Sequence, residues 1–210
     1  MAVPLAVQAA TFGLTRSLAP GSPSSLSQLA PLSLVLVFGV RLINPLDGPL
    51  AEEPGWRAYA QPELQRRRSP LAANAILGLL VAFWHLPLWL LPQFGATPAD
   101  IASDFVGTIA VTFWYAWLFN HSGGSALITL ISHAVEGIIH PQLFWTDPAM
   151  AATTTWLYSA AWCVVAAAIV IADKKSWRSL GRPATAPTPS HPSVEAASHV
   201  SQRESKSPTS

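Results

Sequence analysis

Apolar residues in this chain come in long blocks, not in the short alternation of a half-buried sheet. The blocks lie near 27–50, 71–92, 103–120, 124–144 and 151–172. Each approaches the roughly 20 mainly apolar residues that a helix needs to cross a bilayer. The pattern predicts an all-α, polytopic transmembrane helix bundle of about five spans. The block at 27–50 is the weakest, because Pro31, Arg41 and Asp47 interrupt it. Residues 2–14 are apolar but too short to span, and no Lys or Arg precedes them. That argues against a signal peptide and predicts a weak or interfacial helix within an N-terminal segment, 1–26. Pro87 predicts a kink or an end in the second block, since it removes a backbone donor. Ser122-Gly123-Gly124-Ser125 predicts a tight turn, where glycine supplies positive φ. Residues 183–210, rich in Pro, Ser, Thr and Ala, bury too little apolar surface to fold. The organisation expected is an N-terminal segment, a membrane domain over 27–172 and a disordered tail over 173–210.

Composition sharpens this picture. Half of the 210 residues are hydrophobic and 11% are charged, against about 25% charged in soluble domains. The length suits one domain. A net charge of +1 without a basic stripe leaves no footprint for nucleic acid. Cys163 is the only cysteine, which excludes a disulfide framework or a thiolate metal site; among Val and Ala it reads as packing. The basic residues orient the bundle. Arg57, Arg66, Arg67 and Arg68 precede the second block, and Lys174, Lys175, Arg178 and Arg182 follow the last. The connections at 93–104 and 145–150 hold Asp100, Asp104 and Asp147 but no Lys or Arg. Four spans between the two basic segments place both on one side, the cytoplasm by the positive-inside rule. The chain is thus expected in the cell membrane as a multi-pass protein, in contact with lipid, with its tail cytoplasmic.

Against this background a few ionisable residues stand out. A charge at the bilayer centre costs roughly 3 kcal/mol on insertion scales, so such residues point to function by default. Glu52 and Glu53 close the first block. Glu53 and Arg57 are spaced i, i+4, the distance at which a carboxylate and a guanidinium meet on a helix; this leaves Glu52 for another partner. A plain helix start serves the pair equally well, since Pro54 and acidic residues both favour a first turn. His85 lies in Val81-Ala-Phe-Trp-His85-Leu-Pro87, where a packing role competes with a functional one. His133, Glu136, Gly137 and His140 share one helical face at 100° per residue. Gly137 lets another group approach that face closely, and Glu136 and His140 fit equally a solvated helix end. No His-Glu-x-x-His motif, nucleophile elbow or phosphate-binding glycine loop occurs.

Taken in order, these residues resemble the CAAX-protease and bacteriocin-processing (CPBP, or Abi) family over about 44–145. Its prokaryotic members are intramembrane peptidases or immunity proteins related to the type II CAAX prenyl endopeptidase. Glu52, Glu53 and Arg57 match its Glu-Glu-x-x-x-Arg motif. His85 matches the second motif, with Val81 where an aromatic is usual. His133 matches the third, with Gly137 in place of Asn or Asp. The resemblance implies a membrane endopeptidase, a hydrolase acting on a peptide or membrane-protein substrate. Glu52 would activate the attacking water, and His85 and His133 would bind it or polarise the carbonyl. Glu53 and Arg57 would be structural or substrate-binding. Glu52, His85 and His133 would suit Zn2+, with nitrogen and oxygen ligands and an open water position. A metal-free scheme instead needs Glu52 as general base.

Three functions follow, in different classes. The first is a peptidase whose site opens toward the cytoplasmic half, with Glu52, His85 and His133 within about 8 Å of one another. The second is a non-catalytic immunity or scaffold member, which the loss of Asn at 137 favours. The third is a proton or metal transporter using the same groups as a relay, although no inverted repeat is present. In the first, Glu136 and Asn120 are the candidates to compensate for Gly137, and in a peptidase weakened by its loss of the motif Asn, Gly137→Asn is expected to restore the donor and raise turnover.

Overall fold

The computed structural model describes residues 2–24, 30–46, 48–91, 96–139 and 144–178. These residues form helices, with one isolated β-bridge between Ser24 and Trp145. The helices are α1 (Ala2–Leu18), α2 (Pro31–Ile43), α3 (Gly48–Gly55), α4 (Gln61–Gln65), α5 (Pro70–Trp89), α6 (Pro98–His121), α7 (Ala126–Glu136), α8 (Pro148–Ala172) and α9 (Lys174–Arg178). A π-helical turn, Trp56–Ala60, joins α3 to α4. The long helices start on sequence signals. Ser69, Thr97 and Asp147 accept from the first-turn amides of α5, α6 and α8, each just ahead of a proline. Thr97 and Asp100 complete a capping box, so α6 begins at Pro98, ahead of the expected 103.

Helices α5, α6 and α8 form the frame. Trp89 reaches Asp104, and Phe83 packs on Phe105, so α5 and α6 are antiparallel. Ser103, near the start of α6, meets Ser159 in the middle of α8, and Trp117 meets Asp173 near the ends of both, so these two helices run parallel. Small residues allow the close approach: a carbon added at Gly107 would lie 2.7 Å from Ser159 Oγ. The core beside them gathers Val7, Ala110, Trp114, Tyr115 and Trp162. Helix α1 packs on α8 with Thr15 and Thr154 bonded at 3.2 Å. The turn at 122–125 holds Gly123 and Gly124 at φ of 70° and 83°.

Two expected spans take another form. The block at 124–144 yields only α7, 11 residues long, or about 16 Å at 1.5 Å per residue. It stops at Gly137, after the polar residues His133 and Glu136, and Pro141 follows four positions on. Because α6 and α8 are parallel, the chain between them still returns across the bundle. The block at 27–50 breaks after Ile43, at Asn44-Pro45, into α2 and α3. Four helical stretches remain long and apolar enough to cross a membrane: 31–65, α5, α6 and α8. This is an all-α, multi-pass membrane bundle. Pro87 sits in the last turn of α5, which runs on to Trp89.

The frame brings the starts of α5 and α9 and the ends of α6 and α8 to one end of the bundle. The two basic segments therefore share an end, as the charge pattern requires. Residues 179–210, most of the expected tail, lie outside the described residues. Its first residues form α9, held by the buried Trp177 against Phe113.

Candidate active site

Helix α3 carries the carboxylates inward. Glu52 is 9% exposed and Glu53 is fully buried, a placement that is costly unless each charge meets a partner. Glu53 meets two. His133 donates from Nδ1 to Glu53 Oε1 at 2.9 Å, and Arg57 Nε lies 3.7 Å from Glu53 Oε2. The π-helical turn stands at the step between Glu53 and Arg57, a feature frequent near functional sites. Arg57 is itself buried, with its guanidinium carbon 5.0 Å from the centre of the Tyr115 ring. The same ring stacks on His133 with centroids 5.2 Å apart. The expected Glu53–Arg57 pair forms, and Glu53 also orients His133.

This orientation decides which atoms face the cavity. With Nδ1 donating to Glu53, Nε2 is the free nitrogen of His133. The point where Gly48 would carry a side-chain carbon is 3.3 Å from His133 Nε2, 3.3 Å from Glu52 Oε1 and 3.5 Å from Arg41 Nη2. Glu52 Oε1 and His133 Nε2 are therefore separated by at most twice 3.3 Å. His85 donates Nδ1–H to Val81 O at 2.9 Å and turns Nε2 away from its own helix. Trp84 packs edge-on against it at 5.1 Å.

Glu52, His85 and His133 all line one cavity of about 630 Å³, as do Glu53, Arg57, Glu136 and Gly137. The volume falls within the roughly 300–1,000 Å³ of ordinary ligand sites. It runs from mid-bundle, at Tyr115, toward Trp89 and Asp104. On the basic-end side the space is filled by buried Gln61, which donates to Ala116 O and to Asn120 Oδ1. The cavity thus extends away from the basic end. An expectation that the site opens to the cytoplasmic half and one that the basic end is cytoplasmic cannot both hold.

The structure also separates residues the sequence grouped together. Asn120 bonds to Gln61 away from the cavity, so it does not stand in for the missing Asn. Glu136 lines the cavity but is engaged by Tyr158 Oη at 2.6 Å and Tyr115 Oη at 3.5 Å. His140 lies outside the described residues. Gly137 has φ −90°, a conformation open to any residue. What keeps it bare is Arg41. A carbon added at Gly137 would overlap Arg41 Nη2 and Cζ and lie 2.9 Å from Nε. The group that approaches Gly137 is a guanidinium from α2, so Asn at 137 does not enter an empty place. The signal was present in the sequence as an arginine inside an apolar block, where it read only as a mark against a span.

Zinc donors are present in kind: two imidazoles with Nδ1 committed to a carboxylate or a carbonyl, as metal ligands often are, and one carboxylate. Among the described residues, however, no three His, Cys, Asp or Glu side chains are arranged to hold one ion. As placed, Glu52, His85 and His133 do not close on a common point.

CAAX prenyl protease 2 from Methanococcus maripaludis is 28% identical over 130 residues, covering 59% of this chain and 46% of that protein. The chain spans less than half the length of that relative. Residues 30–139, just over half of the chain, match the family described as Type II CAAX prenyl endopeptidase Rce1-like. Every residue lining the cavity falls within that stretch, and the chain belongs to the type II CAAX prenyl endopeptidase Rce1-like family.

Proposed function

We propose that this protein is an intramembrane endopeptidase in which Glu52 activates water. The observation that carries the reading is Glu52 Oε1 facing the free Nε2 of His133 across Gly48, inside a cavity walled by apolar helices. Glu52 takes a proton from water while His133 Nε2 accepts the other hydrogen, and His85 on α5 lines the same cavity. The water oxygen bonds to the scissile carbonyl carbon. Glu52 then returns the proton to the departing amine as the C–N bond breaks. Glu53 and Arg57 position these groups. The substrate is a peptide or membrane protein presented at the bilayer, and a prenylated C-terminal peptide is the class suggested by the relative's name.

The test uses the full chain, purified in detergent, with a farnesylated fluorogenic peptide and an unprenylated apolar one. Wild type should cleave at least one, and Glu52→Gln should lower kcat by about a thousandfold or more, the loss of base and water activation together. Equal rates in wild type and Glu52→Gln would sink the assignment. Loss of activity with a chelator, regained on adding Zn2+, would replace the metal-free route by a zinc route on the same residues. A wild type that cleaves neither peptide points to the non-catalytic member instead. Gly137 gave that reading its support, and the place beside Gly137 is filled by a charged donor.

A further inference from the structure

We propose that the Arg41 guanidinium occupies the place of the absent Asn side chain and donates to the carbonyl oxygen of the scissile bond. The inference rests on the peptidase reading and concerns a residue outside the three motifs. Arg41 comes from α2, which has no buried residue of its own. Its side chain nevertheless reaches inward and lines the cavity. The guanidinium fills the space over the Gly137 Cα, where the side chain of a motif Asn would start. From there Nη2 lies 3.5 Å from the point that Glu52 Oε1 and His133 Nε2 each approach to 3.3 Å. Base, imidazole and cation thus surround one small volume, over two glycines that leave it open.

The chemistry suits the place. Attack by water puts negative charge on the carbonyl oxygen, and a fixed donor there acts most strongly in a site screened from water. Glu52 and the free nitrogens of His85 and His133 are acceptors toward the water, so the donor has to come from elsewhere. A guanidinium keeps its charge at any working pH and presents several N–H groups in a plane. It also explains why position 137 has no side chain: any Cβ would push the guanidinium out of place.

The test is a pair of substitutions, Arg41→Ala and Gly137→Asn, singly and together, in the full chain in detergent. Arg41→Ala should lower kcat by about tenfold to a thousandfold, with KM changed far less. Added guanidinium chloride at millimolar levels should restore part of that loss, and Arg41→Lys should retain more activity than Arg41→Ala. Gly137→Asn should lower activity where Arg41 is present, and should raise it in the Arg41→Ala background. Thermal unfolding gives a readout independent of turnover. Gly137→Asn should lower Tm with Arg41 in place, and leave it unchanged or higher without Arg41. Wild-type rates in Arg41→Ala, or a double variant no faster than Arg41→Ala with no guanidinium rescue, would overturn the donor role while leaving Glu52 as base. A Tm effect of Gly137→Asn that is the same in both backgrounds would overturn the packing on which the proposal stands. A wild type without turnover overturns the donor role together with the peptidase reading, and is told apart because Glu52→Gln then changes nothing.

Discussion

Among the described residues the same small assembly occurs twice: a carboxylate, an imidazole and an aromatic ring. At mid-bundle Glu53 pairs with His133, which stacks on Tyr115. At the basic end Asp173 pairs with His121, which stacks on Trp117 with ring centroids 4.4 Å apart. Both carboxylate–imidazole contacts are 2.9 Å. Their surroundings differ. The Glu53 and His133 side chains are 1% and 14% exposed, those of Asp173 and His121 27% and 38%. Water screens the outer pair, so little stability depends on it. The inner pair has no such recourse: Glu53 must answer both His133 and Arg57, and losing one partner strands a buried charge. The inner assembly also leaves His133 Nε2 facing Glu52. The outer one ties the ends of α6 and α8 together through Trp117 and His121, while Ser176 of α9 also donates to Asp173.

The largest contrast between the two regions is which side of the membrane each end faces, and it is all or none. The basic end should be cytoplasmic, with the cavity running from mid-bundle toward the opposite face. In a Cys163→Ala background, Ser122→Cys marks the basic end and Ala99→Cys the other. A membrane-impermeant maleimide added to intact cells should label Ala99→Cys, and should label Ser122→Cys only after permeabilisation. The reverse pattern would place the tail outside and the cavity toward the cytoplasm.

Breaking the inner assembly should have the next largest effect. Glu53→Ala leaves Arg57 buried without its carboxylate and frees His133 to rotate. A loss of about 3–5 kcal/mol is expected, read by unfolding of the purified chain. Glu53→Gln keeps an acceptor for His133 but not the charge beside Arg57, and should fall between wild type and alanine. If Glu53→Ala unfolds with the wild-type midpoint, the charge at Arg57 is compensated elsewhere and the contrast drawn above fails.

The two regions were unequally legible in the sequence. The i, i+4 spacing of Glu53 and Arg57, the common face of His133, Glu136 and Gly137, and the glycine turn after α6 are local properties fixed by helix geometry, and all were readable. Helix α7 was misjudged in length because an apolar count does not register where a polar face and a glycine end a helix. The Glu53–His133 bond joins residues 80 positions apart, and the Arg41–Gly137 contact joins residues farther apart still. No periodicity encodes such pairs. A misplaced charge in an apolar block was the one trace of Arg41's role, since an ionisable residue within a membrane segment is costly and marks a partner or a function.

The smallest expected effect is at the outer assembly, and it carries a definite sign with pH. Ser176 donates its hydroxyl to Asp173 at 2.7 Å, the chief cause holding that carboxyl below the usual range, with the Trp117 indole and His121 adding to it. The folded protein thus binds this proton less readily than the unfolded chain does. A depressed carboxyl contributes stability that is complete above the unfolded pKa and is lost as pH falls through the folded one. Asp173→Asn should therefore lower Tm slightly at neutral pH, and the difference from wild type should vanish in acid, below the usual aspartate range. Raising the ionic strength should shrink the neutral-pH difference as well, because the pair is open to solvent. A Tm difference that persists unchanged into acid would mean that the Trp117 hydrogen bond, not the charge, holds the ends of α6 and α8 together.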